Sequence, residues 1–107
     1  MRELDRPSEV ESDPEATEMI RVWIANEELH VSLLLGMWQD APSLNVDERQ
    51  AWGELLADLV RHISNGLKQS HGWDMDETRE QIRSSFLGHL DADEPEFSGG
   101  YSETDPQ

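Results

Sequence analysis

Residues 19–35 carry the pattern that most restricts how this chain folds. Two runs, 19–24 and 29–35, are rich in β-branched, aromatic and other large apolar residues, and only four residues separate them. Such runs around a short polar connection predict a β-hairpin with a two-residue turn at Asn26 and Glu27. A glutamate suits the positive φ of such a turn less well than glycine, so a longer turn is the alternative.

The two-residue turn determines which residues face one another. One face then pairs Ile24 with Leu29, Val22 with Val31 and Ile20 with Leu33; the other pairs Trp23 with His30, Arg21 with Ser32 and Met19 with Leu34. A shift of one residue would mix polar and apolar side chains on both faces, so the pattern specifies its own register.

A long helix is predicted after a loop that contains Pro42. Asn45 and Glu48 have the spacing of a capping box, with Asn45 as the cap. Apolar residues then recur at spacings of three and four, which is typical of one helix face (Trp52, Leu55, Leu56, Leu59, Ile63, Leu67). Gly72 marks the end of this helix, and an earlier end at Asn65-Gly66 is the alternative.

A shorter helix follows, because Asp74 and Glu77 repeat the capping-box spacing. Ile82, Phe86 and Leu90 lie on one face of it at intervals of four residues. The order hairpin, long helix, short helix predicts an α+β ββαα fold in two layers, with the long helix covering the Ile20/Leu33 face of the hairpin. A lone hairpin needs such packing to be stable in water.

Both ends of the chain are acidic and poor in apolar residues. Residues 1–17 hold six acids and two arginines, and residues 91–107 hold six acids and no base. Such segments bury too little surface to offset their ordering entropy, so both are predicted to be disordered tails around a single domain at 18–90. Phe97 and Tyr101 are the exceptions in the second tail, either as a short docking motif or as incidental residues.

Charge and composition exclude several classes of function. The chain has 24 acids against 8 Lys and Arg, a formal charge of -16, and no cysteine. Binding to phosphate backbones and anionic membranes needs clustered bases, so no nucleic-acid partner and no membrane are expected. Thiolate chemistry and Cys-ligated metals are excluded. The acidic N-terminus does not resemble a signal peptide, which predicts a cytoplasmic protein.

The second face of the hairpin is the candidate interface. Met19, Trp23, His30 and Leu34 lie on it, and Trp38 follows the second strand. An apolar sheet face beside open strand edges favours association, so we expect a homodimer and a further protein partner. The alternative is that the second helix or the N-terminal segment covers these residues within one chain.

Chemical motifs are sparse, so no enzyme activity and no cofactor are expected. There is no glycine-rich phosphate loop and no metalloprotease or serine-hydrolase motif. Asp58 and His62 lie one helical turn apart, but two ligands are half a metal site. The predicted function is therefore a self-associating protein–protein interaction module. A small-molecule or metal-binding protein that uses the histidines and tryptophans is the alternative.

Three segments also carry a family resemblance: residues 18–25, 30–33 and 51–63. Together they resemble a small family of bacterial proteins classed as a domain of unknown function. The resemblance covers about residues 18–90 and omits both tails. It implies a bacterial cytosolic protein of one domain and brings no activity, cofactor or site residue with it.

Overall fold

The computed structural model describes residues 1–41, 43, 45–92 and 99–103. Along them the elements run α1 (Ser8–Glu11), β1 (Ile20–Ala25), β2 (Glu28–Leu35), α2 (Glu48–His71), α3 (Met75–Leu90) and β3 (Gly99–Glu103). They form two compact units. The first contains Met1–Leu35 with Ser98–Gln107, and the second contains Gly36–Phe97. The α+β fold class, a hairpin followed by helices, is confirmed.

The hairpin has the register predicted from the sequence. β1 and β2 are antiparallel, with Ile20 opposite Leu33, Val22 opposite Val31 and Trp23 opposite His30. The pairing continues one step beyond β1, where the Leu34 N–H donates to the Met19 carbonyl at 3.0 Å. The alternation of side chains was therefore sufficient to specify this register.

The turn has two residues, as the shorter of the two alternatives requires. Asn26 and Glu27 have φ values of 53° and 62°. Positive φ at both central residues is the type I′ combination, whose twist matches that of the flanking strands. Asparagine tolerates this conformation well, whereas glutamate at the second position is strained.

A third strand completes the sheet of the first unit. β3 pairs with β2 in parallel, so that the sheet order is β1-β2-β3. β3 lies in the segment 91–107, whose composition predicts a disordered tail, and α1 lies in the other predicted tail. The strand Gly99–Glu103 contains two glycines and lacks an alternating apolar pattern, so its sequence carries little strand signal.

The N-cap of the long helix lies two residues later than predicted. Asp47, not Asn45, is the N-cap of α2, and its carboxylate accepts from the Arg49 N–H at 2.8 Å. A cap residue has extended φ and ψ, which Asp47 has, whereas Asn45 has a left-handed φ of 51°. Glu48 is the first residue of the helix. Its carboxylate accepts hydrogen bonds from groups other than the predicted cap Asn45.

The C-terminal end of α2 and the N-cap of α3 agree with the sequence prediction. α2 continues through Asn65-Gly66 to His71 and ends at Gly72, whose φ of 71° is left-handed. Asp74 caps α3 by accepting from the Glu77 N–H at 2.9 Å. The two helices contact each other. Among the described residues, no helix combines the length and apolarity needed to span a bilayer.

Few side chains of the described residues are buried. Ala51 is the buried apolar residue, and Ser64 and Thr78 are the buried polar ones. On the Ile20/Leu33 face of the hairpin, Val22, Ile24 and Leu29 keep 50%, 80% and 59% of their surface exposed. The apolar residues at the turn end of this face are thus largely exposed, and the cover of the face by the long helix stays a prediction.

Replacing Glu27 by glycine tests the turn. Glycine adopts a left-handed φ without the steric cost that glutamate bears, so Glu27→Gly should raise the free energy of unfolding by about 1 kcal/mol. Glu28→Gly, one residue further in β2, is the matched control and should lower it by about 0.5–1 kcal/mol. Urea denaturation at one protein concentration measures both. A destabilised Glu27→Gly chain would contradict the turn type.

Candidate interaction surfaces

Glu48 holds the segment after β2 against the start of α2 within the second unit. Its carboxylate accepts from the backbone N–H groups of Gly36 at 2.8 Å, Trp38 at 3.0 Å and Gln39 at 3.1 Å. The indole N–H of Trp52 donates to it at 2.8 Å. Each carboxylate oxygen thus accepts two hydrogen bonds, which uses most of the acceptor capacity of the group.

These donors determine the ionisation of Glu48. Partial desolvation acts to raise the pKa of its carboxyl group. The N–H groups of Gly36 and Gln39, the Trp52 indole and the Trp38 N–H stabilise the carboxylate and outweigh that effect. The pKa of Glu48 is therefore lowered from its ordinary value of 4.5. This half-buried acceptor is charged at neutral pH.

Two tryptophans pack beside this carboxylate. The rings of Trp38 and Trp52 are 5.8 Å apart and almost perpendicular, which is the edge-to-face geometry that aromatic pairs prefer. Both are half-buried. Trp38, one of the predicted interface residues, thus has a packing partner inside its own chain, and Trp52 of the apolar helix face is only partly buried.

The other four predicted interface residues lie together in the first unit. Trp23 and His30 are opposite one another, and Met19 and Leu34 are joined through the backbone at the end of the same ladder. Nε2 of His30 lies 3.1 Å from the Ala25 carbonyl oxygen. All four are half-buried. The sequence thus placed them correctly on one face, and an interface role for them stays a prediction.

The most exposed apolar side chains lie elsewhere. In the first unit they are Met1 and Leu4 of the N-terminal segment and, at the turn end of the opposite face of the hairpin, Val22, Ile24 and Leu29. In the second unit they are on the helices and their connection: Leu56, Leu59, Ile63, Trp73, Phe86, Leu87 and Leu90. The spacing of the helical residues was visible in the sequence, but their exposure was not, because the pattern does not reveal whether a stripe has a partner within the chain.

A crevice of about 930 Å³ lies between the N-terminal segment and β1 within the first unit. Its lining includes three arginines, Arg2, Arg6 and Arg21, together with four acids. Arg6 pairs with Glu11, and Arg21 pairs with Glu18 at 2.9 Å. Because acids outnumber bases in the lining, the crevice lacks the positive charge of an anion-binding site.

The histidines do not form a metal site in the described part of the chain. Asp58 pairs with Arg61 at 2.7 Å, on an exposed helix surface. Nδ1 of His71 forms a hydrogen bond with Oγ of Ser70 at 2.6 Å, and the His71 ring lies beside the Trp73 ring. No group of three His, Asp or Glu side chains among the described residues is placed to hold a metal ion.

Comparisons with known proteins match the chain to a family but bring no activity. One family model matches residues 3–94, and its description is a domain of unknown function, DUF5076. The match begins within the segment that is predicted from its composition to be an N-terminal tail. No curated protein matches the chain.

The solved structures with a similar fold include one from a bacterium. It is described as a "putative pyruvate dehydrogenase from the photosynthetic bacterium Rhodopseudomonas palustrus". The match has a TM-score of 0.56 and 22% sequence identity, and it covers 85% of this chain and 95% of that one. At this identity the similarity concerns the fold alone.

Replacing Glu48 by glutamine tests the carboxylate as an anchor. A glutamine has one acceptor oxygen and presents an NH₂ group to the remaining donors, so Glu48→Gln should lower the free energy of unfolding by about 2 kcal/mol. Glu54→Gln on the exposed side of α2 is the control and should change it little. Tryptophan fluorescence follows the unfolding, since Trp38 and Trp52 flank the site. Equal stability of the two variants would contradict the role of Glu48.

The lowered pKa of Glu48 predicts a pH dependence with a definite sign. A carboxyl group whose pKa is lower in the folded state stabilises the fold above its unfolded pKa, and this contribution is lost as the pH falls through the folded pKa. The stability difference between the parent and Glu48→Gln should therefore be full above pH 4.5 and shrink at lower pH. Denaturation of both proteins across that range measures it. A difference that grows on acidification would contradict the sign.

Proposed function

Because the chain belongs to the family classed as a domain of unknown function, DUF5076, its family assigns it no activity, and we propose a function on physical grounds. The protein is a self-associating protein–protein interaction module. It completes its apolar core with a second copy of the same chain, and it acts through this assembly rather than through catalysis. The support comes from burial and from the distribution of charge.

The observation that carries the proposal is the scarcity of buried apolar side chains. Ala51 is the buried apolar residue of the described part of the chain. Folding must offset a conformational entropy cost of about 1–2 kcal/mol per residue, chiefly by removing apolar surface from water. A chain that leaves most of its leucines, isoleucines and tryptophans partly exposed gains little of this stabilisation alone. A second copy supplies the missing contacts.

The amount of exposed apolar surface supports the same conclusion. Three apolar residues of the hairpin and seven of the helices and their connection keep 38–80% of their surface exposed. Monomeric soluble proteins rarely leave large apolar patches in water. Exposure of this extent favours contact with a second chain.

The acidic ends suit such an assembly. Residues 1–17 and 91–107 contribute ten of the sixteen excess negative charges. Net charge keeps assemblies apart in solution, because like-charged particles repel. The ends therefore limit the association to defined complexes. A cytoplasmic, bacterial protein fits this proposal, since the chain has no cysteine to oxidise and its structural neighbour comes from a bacterium.

The molar mass in solution tests the proposal. Light scattering over a range of concentrations should give at least twice the 12.2 kDa of one chain. The melting temperature should rise with protein concentration, because association stabilises the folded state by mass action. A folded monomer at every concentration, with a melting temperature independent of concentration, would refute self-association.

A further inference from the structure

We propose that the self-association surface is the apolar stripe of α2, and that its occupant is the same stripe of a second copy, packed about a two-fold axis. The stripe is defined as Leu56, Leu59, Ile63 and Gly66. This inference rests on the proposed function and goes beyond it by naming the surface and the partner. Four features of the described residues carry it.

The first feature is the spacing of the stripe. Its residues follow one another at intervals of three, four and three, which is the spacing of the contact seam between two packed helices. Leu56, Leu59 and Ile63 keep 39%, 38% and 50% of their surface exposed. These apolar side chains thus lie one turn apart on one face and remain in contact with water in the single chain.

The second feature is that the buried position of α2 nearest to α3 in sequence lies beside the stripe rather than on it. Ser64 of α2 is 1% exposed, and Thr78 of α3 is also buried. The two helices contact each other. Ser64 lies about 100° around the helix from Ile63, given 3.6 residues per turn. This flank of α2 is therefore buried, whereas the apolar side chains of the stripe keep 38–50% of their surface exposed.

The third feature is the glycine in the stripe. Gly66 lies inside a 24-residue helix, where glycine costs about 1 kcal/mol relative to alanine. A Cβ placed at Gly66 would meet nothing within 4 Å, so no close approach within the chain requires glycine there. The missing side chain of Gly66 leaves a notch in the stripe. A second helix packed there would come close to the backbone of α2.

The fourth feature is charge. α2 has three acids and three bases, hence no net charge, in a chain whose formal charge is -16. After its first turn, its charged residues lie on the side opposite the stripe: Glu54, Asp58, Arg61 and Lys68. Two copies of a strongly acidic chain repel least where neither carries excess charge, so a neutral α2 is suited to contact with its own copy.

A charge placed in the stripe tests the inference. Leu59→Glu should convert the dimer to a monomer at concentrations where the parent is dimeric, because the contact would bury two like charges. Leu29→Glu is the matched control, an exposed leucine in β2, and should remain dimeric. Light scattering gives the mass, and circular dichroism confirms that both variants are helical.

The outcomes separate this inference from the proposed function. A monomeric parent would refute self-association and this inference together. A dimeric parent whose Leu59→Glu variant is also dimeric would refute the α2 surface alone. A Leu29→Glu variant that is monomeric while Leu59→Glu is dimeric would place the contact on the hairpin and overturn the inference.

A milder pair of variants gives an answer even if Leu59→Glu does not fold. Gly66→Ala fills the notch in the stripe, and Gly53→Ala fills an equally open position outside its spacing. Both raise helix propensity equally. If a second copy packs on the stripe, Gly66→Ala should weaken the dimer about tenfold relative to Gly53→Ala, through overpacking. Equal dissociation constants from sedimentation would overturn the packing of a second copy at Gly66.

Discussion

A chain of this kind must offset the entropy of ordering its backbone, and the burial of apolar side chains is the main source of stabilisation available for that. Ala51, Ser64 and Thr78, the buried residues of the described part, are all small. Small residues at helix positions let neighbouring backbones approach, but they remove little apolar surface from water. The regular elements are thus well formed locally, while the apolar faces that should stabilise them remain partly exposed.

Charge performs a structural role where apolar burial is scarce. The Glu48 carboxylate binds residues up to twelve positions away from it in sequence, since it accepts from Gly36, Trp38, Gln39 and Trp52. Hydrogen bonds to an ionised acceptor are stronger than those between neutral groups. One acidic residue therefore organises the entry to α2 and positions the Trp38–Trp52 pair, in a chain whose other acids are mostly exposed.

The separation of charge along the sequence gives the proposed assembly its physical basis. The excess of acids lies mainly at the two ends, whereas α2 is neutral overall and keeps its charged residues away from its apolar stripe. A neutral amphipathic helix within an acidic chain is suited to contact with its own copy, because the ends supply repulsion and the stripe supplies attraction. Gly66, at which a Cβ would touch nothing inside the chain, is consistent with such a contact.

The sequence by itself determined the features that depend on neighbouring residues. The hairpin register from Ile20 to Leu33 follows from alternation, the end of α2 at Gly72 follows from a left-handed φ, and the cap of α3 follows from Asp74 and Glu77. These interactions span a few positions or repeat with a fixed period. A pattern within one segment is therefore sufficient to predict them.

Only the tertiary structure decided the rest. In the structure the N-cap of α2 is Asp47 rather than the predicted Asn45, and the Glu48 carboxylate accepts from donors near Gly36. The glycine-containing strand Gly99–Glu103 pairs with β2. The tertiary structure also left Ile24 and Ile63 exposed, although their spacing is that of core residues. Each of these outcomes depends on residues distant in sequence, because burial and hydrogen-bond partners are set by whichever segments meet in space.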